Sequence, residues 1–195
     1  MTEMTATPSA DRRAGVQQRV VQGAGCCVER LGLDATTVDD IAAESGLSRA
    51  TLYRKFANKE AIFDAMVAED AKPFAEQAEQ ILKGAGSLAS RIEEALARGI
   101  LAMAERRWLQ DAAQGGGHSL GNSLFQTGYR QRSRAVLELI LQSPHARRGL
   151  DLEQVLEWFM RELLTLVAGR PWDEARLRRH IRDFVVPVLI LDQHR

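Results

Sequence analysis

Apolar residues recur along this chain at intervals of three and four, the spacing that gathers side chains on one face of a helix. Val16, Val20, Ala24, Cys27 and Leu31 form such a face and predict a first helix over 11–31, with Gly32 as its C-terminal stop. Val38, Ile41 and Ala42 predict a second helix that ends near Glu44. Thr37 is its expected N-cap, and Asp40, three residues on, is the acidic partner of a capping-box-like start. Gly46 breaks that helix, and Ser48 caps a short third one that ends near Lys55. Asn58 caps a longer fourth helix to about Lys83, which Pro73 is expected to kink.

Gly84, Gly86 and Ser87 mark a boundary, and beyond it helices are predicted over 88–105, 106–114, 119–142, 152–168 and 174–192. Gly115-Gly116-Gly117, the Ser143-Pro144 turn and Gly169-Arg170-Pro171 separate them, with Asp151 and Asp173 as N-caps of the last two. No stretch alternates apolar and polar cleanly, and neither Asn-Gly nor Asp-Gly occurs, so no strand is expected. The expected fold is all-α: a disordered tail over 1–10, a three-helix module over 11–57 and a larger helical body over 58–195.

Composition changes this picture little. A chain of 195 residues, 45% of them hydrophobic, can bury a sizeable core. Its formal net charge of zero argues at first against a nucleic-acid partner. DNA meets only the face turned towards it, however, so the local distribution decides. Cys26 and Cys27 are neighbours, which is awkward for an ordinary disulfide, and no disulfide framework is expected. No signal-peptide pattern occurs, and no run approaches the roughly 18 apolar residues that span a membrane, so a cytoplasmic protein without a membrane partner is expected. Gly-x-Ser-x-Gly is absent, and Gly115-Gly116-Gly117 lacks the strand that precedes a phosphate-binding loop. His118, His145, His180 and His194 lie scattered without metal-ligand spacing. Neither an enzyme, a metal nor a cofactor is expected.

The informative stretch is residues 36–60, TTVDDIAAESGLSRATLYRKFANKE. Ala42, four residues before Gly46, gives the small side chain that two steeply crossing helices need, and Leu47 plugs the turn. Leu52 and Phe56 face inward from the third helix, completing a helix-turn-helix. Its outer face presents Ser48, Arg49, Thr51, Tyr53 and Arg54. Arg49, Arg54, Lys55 and Lys59 follow one another without an acid, whereas the preceding helix holds Asp39, Asp40 and Glu44. Cations and hydroxyls at such an edge suit phosphates, and Arg49 is the candidate for bidentate reading of a guanine. Taken singly, Ser48 is also explained by capping alone, Tyr53 as a core-edge residue, and Arg54 with Lys55 as a solvated face.

The segment GLDATTVDDIAAESGLSRATLYRKFANKEAIFDAM, Gly32 to Met66, resembles the signature of the TetR (tetracycline-repressor-like) family: Gly, Thr, Ile-Ala, Gly-x-Ser, Thr-x-Tyr, Phe and Lys-Glu in register. The resemblance covers about a fifth of the chain. It implies a DNA-binding regulator in which Thr37, Ser48, Thr51, Tyr53 and Lys59 contact the DNA backbone, while Arg49, Ala50 and Arg54 approach bases. It also implies a homodimer on operator DNA, the last two helices pairing with their symmetry mates as a four-helix bundle.

Two helices of the body supply apolar stripes for that purpose: Leu152, Val155, Leu156, Phe159, Leu163, Leu166 and Val167 on one, and Leu177, Ile181, Phe184, Val185, Val188 and Leu189 on the other. Such stripes are intrachain core as readily as interface, and both uses are expected. Met103, Trp108, Leu109, Leu124, Phe125, Tyr129, Trp158 and Phe159 are candidates to line a cavity for a small, largely apolar effector, with His118 and Glu162 as polar contacts. Ordinary core packing accounts for any one of these better than a lining role does. The basic run Arg176, Arg178, Arg179, His180 and Arg182 reads as a solvated helix face, or as a surface for an acidic partner. The expected function is a repressor released from its operator by a small-molecule effector. A DNA-binding scaffold without ligand control and a helical enzyme or carrier are the alternatives.

Overall fold

The computed structural model describes residues 8–114, 120–168 and 173–191, with the side chains at 8–14, 111–114, 120–124, 126 and 168 left aside. These residues form α1 (Pro8–Leu31), α2 (Val38–Ser45), α3 (Arg49–Lys55), α4 (Lys59–Leu82), α5 (Leu88–Met103), α6 (Arg107–Gln114), α7 (Leu120–Leu141), α8 (Leu152–Ala168), α9 (Glu174–His180), a π-helical turn (Ile181–Val185) and α10 (Val186–Leu189). Among the described residues no strand occurs, only an isolated bridge between Ala146 and Ile190. The fold is all-α, with an N-terminal helix-turn-helix followed by a helical body.

The chain divides into two compact units, Met1–Glu69 and Asp70–Arg195. The sequence places a boundary at 57/58. The units instead divide within α4, whose Ile62, Phe63, Met66 and Val67 are buried side chains of the first unit. Of the expected tail, residues 1–7 lie outside the described residues, and α1 is already helical at Pro8.

In the first unit, α1 buries Val20, Ala24, Cys27 and Val28. It crosses α2 so closely that a Cβ on Gly23 would stand 3.1 Å from the Ser45 backbone nitrogen. The Ser45 hydroxyl, itself buried, donates to the Ile41 carbonyl at 2.6 Å. Arg19 reaches from α1 to the end of α2, donating to the carbonyls of Ser45 and Gly46 at 2.8 and 3.2 Å. It thereby satisfies carbonyls that a helix end leaves without donors. Gly46 sits at φ 63°, the left-handed conformation the turn requires.

The second unit buries Ile92, Leu96 and Ile100 of α5, Leu137 of α7, Leu156 and Met160 of α8, and Leu177 of α9. Pro73 lies inside an unbroken α4. The helix expected over 174–192 is not uniform. After His180 it widens into the π-helical turn, where the Val186 N–H donates to the Ile181 carbonyl five residues back. Pro187 explains the change, since its ring lacks an N–H and crowds the carbonyl four residues earlier. The basic run is neither a free patch nor a simple solvated face. Arg178 meets Glu94 at 2.7 Å and Glu174 at 2.8 Å, and Arg182 meets Glu93 at 2.9 Å, so the run ties α9 and the π turn to α5.

Candidate DNA interface and effector cavity

Three caps set the geometry of the helix-turn-helix. Thr37 accepts a hydrogen bond from the Asp40 N–H at 3.2 Å, while the Asp40 carboxylate accepts from the Thr37 N–H at 2.9 Å, a complete capping box. The Thr37 hydroxyl and backbone hydrogen bonds hold the Asp40 carboxyl below the usual range. Ser48 caps α3, accepting from the Thr51 N–H at 3.3 Å, and its hydroxyl lies 3.0 Å from that of Thr51. Asn58 caps α4 through the Ala61 N–H at 2.8 Å. Thr36, just before the box, is wholly buried and donates to the Gly32 carbonyl at 2.7 Å.

With Leu52 and Phe56 buried, the outer face of α3 is fixed. Ser48, Arg49, Ala50, Tyr53 and Arg54 are exposed, Thr51 is half-buried, and Thr37 is exposed beside them at the start of α2. Tyr53 is 47% exposed, unusual for an aromatic residue that has a core available to it, and this places it on the surface rather than at the core edge. The Arg49 guanidinium lies 5.9 Å from the centre of the Tyr53 ring and 3.1 Å from the Asp39 carboxylate. The Tyr53 hydroxyl, followed by the charge on Asp39, pushes the Arg49 pKa up, so Arg49 stays a cation. Lys59 is half-buried, its ammonium 5.1 Å from the centre of the Phe63 ring. Burial pushes the Cys27 thiol up, which leaves it a packing residue rather than a nucleophile.

The second unit contains a cavity of about 50 Å³. Ala71, Ala75 and Ala78 of α4 and Ala95 and Gly99 of α5 form its small-residue walls, with Phe74, Leu96, Val136 and Leu163 among its apolar lining. Of the sequence candidates, Met103, Tyr129 and Phe159 line it. Trp108, Leu109 and Phe125 are buried but are not among its lining residues. Trp158 is half-buried, and Glu162 faces elsewhere, 2.7 Å from the His180 ring nitrogen. His118 and the side chain of Leu124 lie outside the described residues. Arg132 and Ser133 also line the cavity, and sequence reasoning passed over both. The alanines recur at three- and four-residue intervals on α4, a signal that was there to be read.

Tyr129 is the hinge of an aromatic group, 5.0 Å from Phe125, 6.2 Å from Trp108 and 6.3 Å from Phe74 between ring centres. Its hydroxyl donates to Asp70 at 3.0 Å, and Asp70 also meets Arg106 at 3.2 Å. Burial, and then the negative charge of Asp70, drive the Tyr129 phenol far above its ordinary value.

The expected interface stripes divide. Val155, Leu156, Leu163, Ile181, Val185 and Leu189 are buried within the chain's own fold. Leu152 and Val188 are half-buried, and Phe184 is 65% exposed, its ring 5.1 Å from that of His180. Among the described residues, no group of three or more His, Cys, Asp or Glu is placed to hold a metal, and no helix is long and apolar enough to cross a membrane.

Residues 27–66 match the family model described as bacterial regulatory proteins, tetR family. The resemblance to the TetR family read between Gly32 and Met66 therefore holds over this segment. No curated protein matches the chain. Among solved structures, a TetR-family transcriptional regulator from Mesorhizobium loti is 20% identical, with 92% of this chain and 99% of that one covered and a TM-score of 0.60. FadR from Bacillus subtilis, solved with stearoyl-CoA, is 18% identical over 88% and 98%, with a TM-score of 0.63. RolR, solved with resorcinol, is 16% identical over 92% and 90%, with a TM-score of 0.69. At these identities the likeness is one of fold.

Proposed function

We propose that the chain is a homodimeric transcription regulator that binds double-stranded operator DNA through α2 and α3 and is released by a small, largely apolar effector. The outer face of α3 carries this reading. Arg49, Tyr53 and Arg54 stand exposed on a helix whose inner face is buried and whose start is capped, beside the exposed Thr37 and Ser48. Arg49 and Arg54, with Ala50 between them, read base edges. Thr37, Ser48, Thr51, Tyr53 and Lys59 hold the phosphates.

One such unit reads a half-site, and a dimer brings two recognition helices into successive major grooves roughly 34–36 Å apart. The exposed Phe184 and the half-buried Leu152 and Val188 support α8 and the α9–α10 segment as the dimer face. The effector enters the cavity lined by Met103, Tyr129 and Phe159. That FadR and RolR have been solved with small molecules bound supports a ligand site in this fold. Because α4 begins four residues after α3 and its later residues line the cavity, a ligand that prefers a shifted α4 disfavours the DNA-binding geometry. Coupling of roughly 1–3 kcal/mol weakens operator binding about 5- to 150-fold, and the protein then acts as a repressor. The small volume of the cavity favours a second reading, a regulator without ligand control.

Selection of the purified protein against random duplexes at two salt concentrations tests the proposal. Enrichment of a pseudo-palindrome with salt-sensitive affinity is expected. Enrichment at neither salt would contradict it.

A further inference from the structure

The three arginines in the middle of α7 do not share one environment. Arg130 pairs with Glu153 at 2.9 Å, and Arg134 pairs with both Glu138 and Glu153. Arg132, between them, forms no ion pair among the described residues. It is exposed and yet lines the cavity, so it stands where the cavity meets solvent. The Asp70 carboxylate is already held by the hydroxyl of the lining residue Tyr129 and by Arg106. The remaining lining is apolar apart from Ser133 and the Tyr129 hydroxyl. A cation without an ion-pair partner among the described residues, at the mouth of an apolar cavity, attracts an anion that is tethered to an apolar body.

The walls limit the shape of that body. Short side chains on both helices, Ala71, Ala75 and Ala78 on one and Ala95 and Gly99 on the other, leave a small slot between α4 and α5. At about 50 Å³ the space holds a few waters, given that one needs roughly 10–15 Å³ of such volume. A slender chain enters such a slot with less displacement of its walls than a fused ring system.

We propose that the effector is a linear anionic amphiphile, its chain between α4 and α5 and its carboxylate head paired with Arg132. This rests on the effector-site reading above. Guanidinium and carboxylate match as a two-toothed pair, which a neutral hydroxyl head cannot form.

Calorimetric titration of the full chain with sodium octanoate, 1-octanol and phenol tests the assignment. Octanoate is expected to bind about tenfold tighter than octanol, the difference of a charge-assisted hydrogen bond. Arg132→Gln should bring octanoate down to the affinity of octanol and leave octanol unchanged. Ala78→Leu, which fills the slot, should weaken both, with Gly99→Val in its place if that variant does not fold. Equal affinity for octanoate and octanol, or octanoate binding that survives Arg132→Gln, overturns the anionic assignment and leaves the cavity reading standing. Binding of phenol alone does the same. Heat from none of the three overturns the anionic assignment and the effector site together.

Discussion

The Arg49 guanidinium lies 3.1 Å from the Asp39 carboxylate, so the residue proposed to read DNA is held by an acid on the preceding helix. Both side chains are more than half exposed, and water screens the pair. In the proposed complex Asp39 would also meet the phosphates with a like charge. Asp39→Ala should therefore raise affinity for a random duplex by roughly two- to fivefold and narrow the gap to the operator. Anisotropy titrations on both duplexes measure this. Unchanged binding to both would show that Asp39 does not oppose DNA.

The crossing of α1 over α2 leaves little room at Gly23, where a Cβ would stand 3.1 and 3.2 Å from the Ser45 nitrogen and Cβ. Gly23→Val should cost about 1–3 kcal/mol by overpacking. Gly25, two residues on in the same helix, has open space around it, and Gly25→Ala should stabilise by about 0.5–1 kcal/mol. Thermal unfolding followed by helical circular dichroism should move in opposite directions for the two.

Much of this unit was legible in the sequence because its signals are local. The Thr37–Asp40 box, the Ser48 and Asn58 caps and the Gly46 turn each depend on residues within four positions of one another. What escaped was long-range. Arg19 capping the end of α2 across 26 residues, and Arg178 joined to Glu94 across 84, leave no periodic trace. In the body, Met103, Tyr129 and Phe159 were legible as cavity lining through their size. The alanines opposite them read as ordinary helix formers. The π-helical turn had a signal in Pro187, but an unbroken apolar stripe across it masked the change of pitch.

Tyr129 binds its phenolic proton more tightly in the folded chain than in the unfolded one, through burial first and then through the charge of Asp70. This contributes stability that is complete below the ordinary phenol value and lost as pH rises beyond about 10. In a Tyr53→Phe background, no phenolate absorbance should develop before alkaline unfolding. Tyr129→Phe should cost about 0.5–1.5 kcal/mol at neutral pH and lessen the alkaline loss.

Phe184 is exposed in the chain, so replacing it costs the monomer's fold little. If it lies in the dimer face, Phe184→Asp should give monomers by sedimentation and weaken operator binding by roughly tenfold or more, the worth of one buried aromatic ring. A dimer that persists in this variant would move the interface elsewhere.

If two copies of α3 enter DNA together, hydroxyl-radical footprinting on the selected duplex shows both. Two protected windows are expected about 10–10.5 base pairs apart, centre to centre, or a multiple of that spacing, both lost in Arg49→Ala with Tyr53→Ala. A single window, or protection that survives the double substitution, would contradict it.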